Sequence, residues 1–170
     1  MEKALRVLNE LEREGVIARY AIGGGIAGLF YMEPLLTYDL DVFVFLPKSA
    51  GKLIDLSSLY ESLRRKGYPA HREHVMIEGV PVQFIPAYND LVEEAVRESV
   101  QRLYRKTETR VLRVEHLLAI MLQTDRPKDR ARMVQLLEEA TVGKSRLAGV
   151  LKRHGLRRKW SGFKRRFYGE

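Results

Sequence analysis

Residues 20–44 read YAIGGGIAGLFYMEPLLTYDLDVFV. A short apolar run leads into three glycines, Gly23, Gly24 and Gly25, and a small apolar segment follows them. This order predicts a strand, a glycine turn and a helix, so that backbone N–H groups at the start of the helix are exposed and can bind phosphate. The same glycines also fit a close contact between strand and helix that involves no ligand.

Two carboxylates follow the glycines. Asp39 and Asp41 flank one residue at the start of the β-branched and aromatic run Leu40–Leu46, which is typical of a strand. Because alternate side chains of a strand point to the same face, both carboxylates are expected on one side. Two like charges this close need a cation to remain ionised together, and a hard ion such as Mg²⁺ suits them. Singly, they are also explained as a cap residue and an edge-strand charge, but the upstream glycines favour a site for phosphate and metal.

The rest of the chain alternates between helical and extended patterns. Helices are predicted over Glu2–Glu14, Ile26–Met32, 56–63, Asp90–Val100, Glu115–Thr124 and Pro127–Ala140. Extended segments are predicted over Val16–Ile22, Leu40–Leu46, His71–Ile77, Val80–Ile85 and Thr107–Val114. This alternation predicts a mixed α/β domain that ends in a pair of helices.

The composition excludes several classes of protein. A chain of 170 residues with 45% hydrophobic and 31% charged residues fits one globular domain with an appendage. No apolar run approaches the roughly 20 residues of a membrane helix, and we expect no signal peptide and no membrane span. The chain has no cysteine, which excludes disulfides, thiolate zinc sites and cysteine nucleophiles. It is therefore compatible with the cytoplasm, the location we expect.

The formal net charge of +8 is concentrated at one end of the chain. Residues 141–170 hold ten lysines and arginines against one acid, Glu170, so the remainder is close to neutral. We therefore divide the chain into a body, 1–142, and a basic, helical C-terminal tail, 143–170.

Aromatic residues alternate with the positive charges of this tail. Trp160, Phe163 and Phe167 lie among its lysines and arginines, a combination that binds RNA or single-stranded nucleic acid through phosphate neutralisation and base stacking. Two alternatives stay open. The aromatics can instead hold the tail against the body while the charges stay in water, or a basic amphipathic segment can lie on an acidic membrane surface. We rank RNA first, docking second and a membrane surface last.

The order of Gly-Gly and then Asp-x-Asp on an apolar strand resembles the signature of the DNA polymerase beta-like nucleotidyltransferase superfamily. Residues 114–137, VEHLLAIMLQTDRPKDRARMVQLL, are similar to the "glutamate, hydrophobic helix, Arg-x-Lys-Asp, hydrophobic helix" segment of small prokaryotic nucleotidyltransferases related to abortive-infection toxins. The resemblance covers roughly residues 16–140. It implies a nucleotidyltransferase-type mixed β-sheet flanked by helices.

The resemblance also implies a mechanism. Gly23–Gly25 would let the backbone approach the triphosphate of a nucleoside triphosphate, while Asp39 and Asp41 hold Mg²⁺ against it. A nucleoside monophosphate would pass to a hydroxyl of a nucleic acid, with transfer RNA as one candidate, or of a protein, and pyrophosphate would leave. Lys128 and Asp129 would bind the nucleotide, although they are also explained as polar residues that form ion pairs at the start of a helix.

The sequence departs from the superfamily at two positions. Active members usually carry a third carboxylate on a later strand, here 80–85, where this chain has Gln83. An amide oxygen can bind a hard metal, so Gln83 joins the two aspartates in the predicted metal site, but it brings no charge and cannot act as a base. Glu78 or Asp90 could supply the third carboxylate only if the register of this strand differs from the one assumed here. Met121 stands where relatives often have a lysine.

These departures leave alternatives to an active transferase. One is a catalytically impaired protein of the same fold that binds nucleotide and RNA. A more distant one is a small DNA- or RNA-binding regulator in which Asp39 and Asp41 are only structural. His71 and His74, on a predicted hairpin strand, are interpreted as ordinary strand residues. The nucleotide, the acceptor and the oligomeric state are not determined by the sequence.

Overall fold

The computed structural model describes residues 1–32, 39–47 and 55–169. The helices are α1 (Glu2–Arg13), α2 (Gly24–Gly28), α3 (Ser57–Arg65), α4 (Asp90–Arg97), α5 (Val114–Thr124), α6 (Pro127–Glu139), α7 (Lys144–Arg153) and α8 (Arg157–Tyr168). The strands are β1 (Arg19–Ile22), β2 (Leu40–Phe45), β3 (Ala70–His71), β4 (His74–Ile77), β5 (Val80–Pro86), β6 (Val100–Tyr104) and β7 (Thr107–Val111). No helix in these ranges is long and apolar enough to cross a membrane.

The seven described strands form one mixed sheet in the order β3-β4-β5-β2-β1-β7-β6. The central strand β2 runs antiparallel to β1 and parallel to β5, and its register with β5 pairs Asp41 with Gln83. Helices pack against this sheet, which confirms the predicted mixed α/β class. The register brings the second aspartate and the predicted third ligand position side by side.

The helix α1 shows why the apolar spacing of the sequence was informative. Ala4, Leu5, Leu8 and Leu11 recur at intervals of one turn and are fully buried. Their stripe packs against β7 and β1, while the charged residues between them stay outside. Asn89 likewise caps α4, since its Oδ1 accepts a hydrogen bond from the amide of Val92 at 2.9 Å.

Two of the predicted segments differ from the structure in the type or continuity of an element. The helix expected to reach Val100 ends at Arg97, and residues 100–104 form the strand β6, which pairs with β7 through a turn at Arg105. Three successive residues of this edge strand are exposed, so it lacks the alternation by which a half-buried strand is recognised. The run 71–77 is also broken, because Arg72 adopts a positive φ of 56° in the turn between β3 and β4.

The C-terminal helices lie against the body. Leu147, Val150 and Leu151 are buried where α7 meets α5. In α8, Phe163 is buried and stacks on Trp160, whereas Phe167 is exposed. This packing agrees with the alternative in which apolar and aromatic side chains hold the tail against the body. The positive charges of residues 144–169 stay largely at the surface. The division of the chain after residue 142 stays a prediction.

One carboxylate connects three of these helices. Glu94 of α4 accepts hydrogen bonds from Arg153 of α7 at 2.6 and 3.1 Å. Nε2 of His154 lies 2.8 Å from Oε2 of Glu94. Nε2 of His116 in α5, which is fully buried, lies 3.0 Å from Oε1. The hydrogen bonds from Arg153, aided by the two histidines and opposed by burial, lower the pKa of Glu94 to about 2. The charge of Glu94 is therefore part of what holds α7 in place.

We expect Glu94→Gln to destabilise the protein in a pH-dependent way. The ordinary glutamate pKa of 4.5 falls to about 2 on folding, which corresponds to roughly 3 kcal/mol. Because the folded-state pKa is depressed, this stabilisation is present above pH 4.5 and is lost as the pH falls towards 2. Urea unfolding should show a loss of about 2 to 3 kcal/mol at pH 7 and about 1 kcal/mol at pH 3, where Glu94 is still mostly ionised in the folded protein. Glu93→Gln, which removes an exposed pairing with Arg97, is the control. Equal losses for Glu94→Gln at both pH values would contradict this account.

Candidate functional site

The glycine turn is fitted to the strand beside it. The helix α2 begins at Gly24, two residues earlier than predicted, and Gly24 has a positive φ of 58°. A β-carbon at Gly24 would overlap the carboxylate of Asp41, and one at Gly23 would overlap the ring of Phe43. The close approach of the turn to β2 therefore requires glycine at both positions.

Asp41 lies in a partly buried position on β2. Burial raises the pKa of its carboxyl above the ordinary value, the charges of Arg126 and Lys128 oppose this shift, and Asp39 adds to it. The carboxylate is therefore costly to keep ionised without a nearby positive charge. The two cations come from the beginning of α6, the segment that the resemblance had singled out.

A cavity of about 230 Å³ opens beside Asp41. It lies between β2, β5 and the helices α5 and α6, and is lined by Gly24, Asp41, Phe43, Gln83, Ile85, Tyr88, Leu112, Leu117, Ile120, Met121, Thr124, Arg126 and Asp129. The cavity has both polar and apolar lining residues. On the strands this follows from alternation, because Asp41 and Phe43 share one face of β2, and Gln83 and Ile85 share one face of β5. The cavity thus has a polar side around the carboxylate and an apolar side formed largely by α5.

Asp129 holds an arginine at the polar side of this cavity. Its carboxylate is only 1% exposed and accepts two hydrogen bonds from Arg126, Nε to Oδ2 at 2.6 Å and Nη2 to Oδ1 at 3.2 Å. The hydroxyl of Thr124 donates to the same Oδ2 at 2.9 Å. This bidentate pairing fixes the plane of the guanidinium. Lys128 is exposed and does not line the cavity, although its charge acts on Asp41.

Asp39 lies just outside the cavity. Its side chain is 53% exposed, and its Oδ2 is 3.7 Å from Nε2 of His74 on β4. The two aspartates are close enough that Asp39 raises the pKa of Asp41. His74, predicted to be an ordinary strand residue, is therefore next to the site.

The structure also shows which residues stand beside Asp41. Gln83 does so, in the predicted register. Glu78 lies in the turn between β4 and β5, where it accepts a hydrogen bond from the hydroxyl of Tyr68, and neither it nor Asp90 lines the cavity. Met121 lines the apolar wall. Position 83 therefore carries an amide that neither Glu78 nor Asp90 replaces, while the other carboxylate of the cavity, Asp129, is bound to Arg126.

Tyr88 is a cavity residue that sequence reasoning did not identify. It follows the end of β5 by two residues and is about half exposed, and its pKa is raised by burial. Nothing in its spacing distinguishes it from other aromatic residues. Its place at the mouth depends on how β5 leads into α4, which becomes apparent only in three dimensions.

A second cluster of acids and histidine lies elsewhere in the described part of the chain. The ligand atoms of Glu94, Glu98 and His116 come within 4.8 Å of one another. Arg153 already donates two hydrogen bonds to Glu94, so a guanidinium occupies the position where a metal ion would neutralise the acids. We therefore interpret this cluster as an ion network and place the candidate metal site at Asp41.

Comparisons with known proteins identify the fold. No protein-family model matches the sequence, and a search of curated proteins finds no significant match. Among solved structures, an antigenic nucleotidyltransferase-like protein from Paracoccidioides brasiliensis superposes with a TM-score of 0.58 at 14% identity, over 94% of this chain and 89% of that chain. The complex of ANT(2'')-Ia with adenylyl-2''-tobramycin matches with a TM-score of 0.55 at 14% identity, over 92% and 98%. The chain has a nucleotidyltransferase-type fold.

Replacing Gly24 should test how tightly the turn fits β2. We expect Gly24→Ala to lower the free energy of unfolding by about 2 kcal/mol or more, because a left-handed backbone and an overlap with Asp41 add to one another. Gly162→Ala is the matched control, since a β-carbon at that position in α8 meets nothing within 4 Å and alanine favours the helix. Urea unfolding measures both. Wild-type stability in Gly24→Ala would show that the turn is not constrained.

Proposed function

We propose that this protein is a Mg²⁺-dependent nucleotidyltransferase, which transfers a nucleoside monophosphate from a nucleoside triphosphate to a hydroxyl group. The observation that carries this proposal is the cavity in which the partly buried Asp41 carboxylate stands beside Gln83, together with an arginine held by Asp129. The fold agrees with it, and one protein of that fold was solved with an adenylylated small molecule, adenylyl-2''-tobramycin.

The cations at the start of α6 would bind the triphosphate. Arg126 presents a guanidinium to the cavity in a fixed plane, which suits bidentate contact with phosphate oxygens. Lys128 adds positive charge from the exposed side. Asp129 acts through Arg126 as a positioning residue, and Gly23–Gly25 let the triphosphate approach the backbone closely. Arg126, at the α6 end of the cavity, would supply the positive charge that a lysine at position 121 often supplies in relatives.

The oxygen ligands around Asp41 fit a magnesium ion. Asp39 and Asp41 would supply carboxylates and Gln83 an amide oxygen, the kinds of ligand that Mg²⁺ binds. A nearby cation would also offset the cost of ionising Asp41, whose pKa is raised by burial. When bound, the ion neutralises the charge of the triphosphate and of the leaving pyrophosphate.

The reaction is an in-line displacement at the α-phosphorus. The acceptor oxygen forms a bond to phosphorus as the bond to the oxygen bridging towards the β-phosphate breaks, and pyrophosphate carries the electron pair away. The Gln83 amide cannot accept the proton of the acceptor hydroxyl, so that proton passes to water or to a group of the acceptor complex. We propose RNA as the acceptor, bound through residues 143–170, with a protein hydroxyl as the alternative.

A second candidate function is nucleotide and RNA binding with impaired transfer. It is favoured by Gln83, because in the described residues neither Glu78 nor Asp90 supplies the missing carboxylate. Both candidates require Mg²⁺-dependent nucleotide binding at Asp41. They differ only in whether pyrophosphate is released.

Asp41→Asn should weaken nucleotide binding strongly. We expect titrations of ATP, GTP, CTP and UTP with Mg²⁺ to show binding of at least one nucleotide by the wild type, and at least tenfold weaker binding by the variant, because a neutral amide replaces the central metal ligand. Asp90→Asn is the matched control, since that exposed aspartate does not line the cavity. A wild-type chain that binds none of the four nucleotides with Mg²⁺ would contradict both candidate functions.

Gln83→Glu should separate the two candidates. A carboxylate at this position lies directly beside Asp41 and adds a charged metal ligand, so we expect pyrophosphate release to rise at least tenfold with RNA as acceptor. Measurable release by the wild type supports the transferase. If release begins only in the variant, the wild type is the impaired form, and no release from either protein would argue against transfer altogether.

A further inference from the structure

A large cavity lies away from Asp41, in a groove between α6, α7 and α8. Its volume is about 760 Å³, within the range of roughly 300 to 1,000 Å³ that is usual for ligand pockets. The lining residues are Leu137, Glu138, Ala140, Val142, Lys144, Leu147, Ala148, Leu151, Arg157, Trp160, Ser161, Lys164 and Tyr168. We refer to it as the helical groove.

The floor of the helical groove is apolar and includes the ring of Trp160, which packs on another aromatic ring. Leu147 and Leu151 are buried beneath it. Trp160 is half-buried and stacks on the buried Phe163, with ring centroids 5.7 Å apart and an interplanar angle of 21°. This stacking fixes the orientation of the indole. Ala148, a small side chain on α7, lines the same groove.

The rim of the helical groove is positively charged. Lys144, Arg157 and Lys164 line it, against one acid, Glu138. Lys144 and Arg157 are exposed, whereas Lys164 lies over the ring of Tyr168 at 4.2 Å from its centroid. An apolar aromatic floor under a cationic rim is complementary to a ligand that has flat apolar faces and negative charges at its edge.

We propose that the helical groove binds single-stranded nucleic acid, with an unstacked base against Trp160 and the adjoining phosphates on Lys144 and Arg157. This placement deepens the proposed function, on which it rests, by locating the contact with the acceptor strand. A base inside a duplex cannot enter the groove, because it remains stacked and paired. An acidic amphipathic helix would satisfy the charged rim but makes no particular use of the flat ring of Trp160, which is stacked on Phe163.

The helical groove is connected to the Asp41 cavity by two helices. Along α6, the eight residue-to-residue steps from Asp129 at the cavity to Leu137 at the groove span about 12 Å. Lys159 of α8 donates a hydrogen bond at 3.0 Å to the carbonyl oxygen of Gln123, the residue before Thr124 of the cavity. A strand bound in the groove would thus be held at a fixed distance from the site of transfer.

Trp160 provides a direct reporter, because it is the one tryptophan of the chain. The probe is a short single-stranded oligouridylate, titrated into the full chain while tryptophan fluorescence is recorded. We expect quenching by oligouridylate, binding at least tenfold weaker by an RNA duplex of equal length, and no response to oligoglutamate. Equal responses to the duplex would assign the groove to backbone contacts alone, and a stronger response to oligoglutamate would assign it to an acidic protein. Either result would overturn the proposal.

Variants of the rim and floor test which residues bind the strand. Arg157→Gln and Lys144→Gln should each weaken binding and reduce the slope of log K against log salt by about one. Arg64→Gln and Lys106→Gln, which remove exposed charges outside the helical groove, are the matched controls. Trp160→Leu should weaken binding of a labelled oligouridylate about tenfold by anisotropy. Equal affinities of Arg157→Gln and Arg64→Gln would overturn the proposal even if Trp160→Leu failed to fold.

The same titration separates this proposal from the proposed function. Asp41→Asn lies outside the helical groove, so it should keep the wild-type fluorescence response to oligouridylate while losing nucleotide binding. Loss of the oligouridylate response in Arg157→Gln with nucleotide binding intact would identify the groove as the site of the strand. If the chain still binds Mg²⁺ and nucleotide but the helical groove binds no oligouridylate, the proposal for the groove is wrong and the proposed function is unaffected.

Discussion

The contact between the glycine turn and Asp41 is the constraint on which the rest of the site depends. Gly24 lies so close to this carboxylate that a single β-carbon would displace it, and Gly23 packs in the same way on Phe43. The turn therefore fixes the position of β2 relative to α2, and β2 in turn aligns β5 so that Gln83 stands beside Asp41. Burial of the carboxylate follows from this packing, and so does its raised pKa. The raised pKa of Asp41 therefore depends on glycine at positions 23 and 24, where any side chain would prevent this packing.

Much of this arrangement was readable from local patterns. The alternation of β2, the amphipathic stripe of α1 and the cap at Asn89 each depend on neighbours in the chain, and each was predicted close to its observed position. The strand β6 was not predicted, since its exposed residues owe their extended conformation to pairing with β7. Helix periodicity across α4 suggested continuation where tertiary pairing imposed a strand.

The candidate site shows the same division between local and distant information. The resemblance to the superfamily pointed to Gln83 as the partner of Asp41 and, through Lys128 and Asp129, to the segment that begins α6. The cation that lines the cavity is Arg126, which the sequence had not singled out. The position of Asp39 at the rim, its proximity to His74 and the place of Tyr88 at the mouth depend on how separate elements pack. No spacing along one segment contains that information. The roles of these residues in binding and transfer stay predictions.

The distribution of charge acquires a structural meaning once α7 and α8 are in place. The positive charge of the C-terminal residues is not an independent extension, because Arg153 and His154 are used internally to hold Glu94, while Lys144 and Arg157 line the helical groove. The same short segment therefore contributes cations to the packing of the protein and to its surface. Removing it would alter the packing of α4 and α5 as well as any surface it presents.

The ion network at Glu94 also has a consequence for the order in which the chain matures. Arg153 and His154 are synthesised 59 and 60 residues after the glutamate they contact. Until they emerge, Glu94 lacks its strongest partner, and α4, which follows Tyr88 in the chain, lacks that support. On the ribosome, the framework around the cavity is therefore completed late, after both aspartates and the glycine turn have long been made.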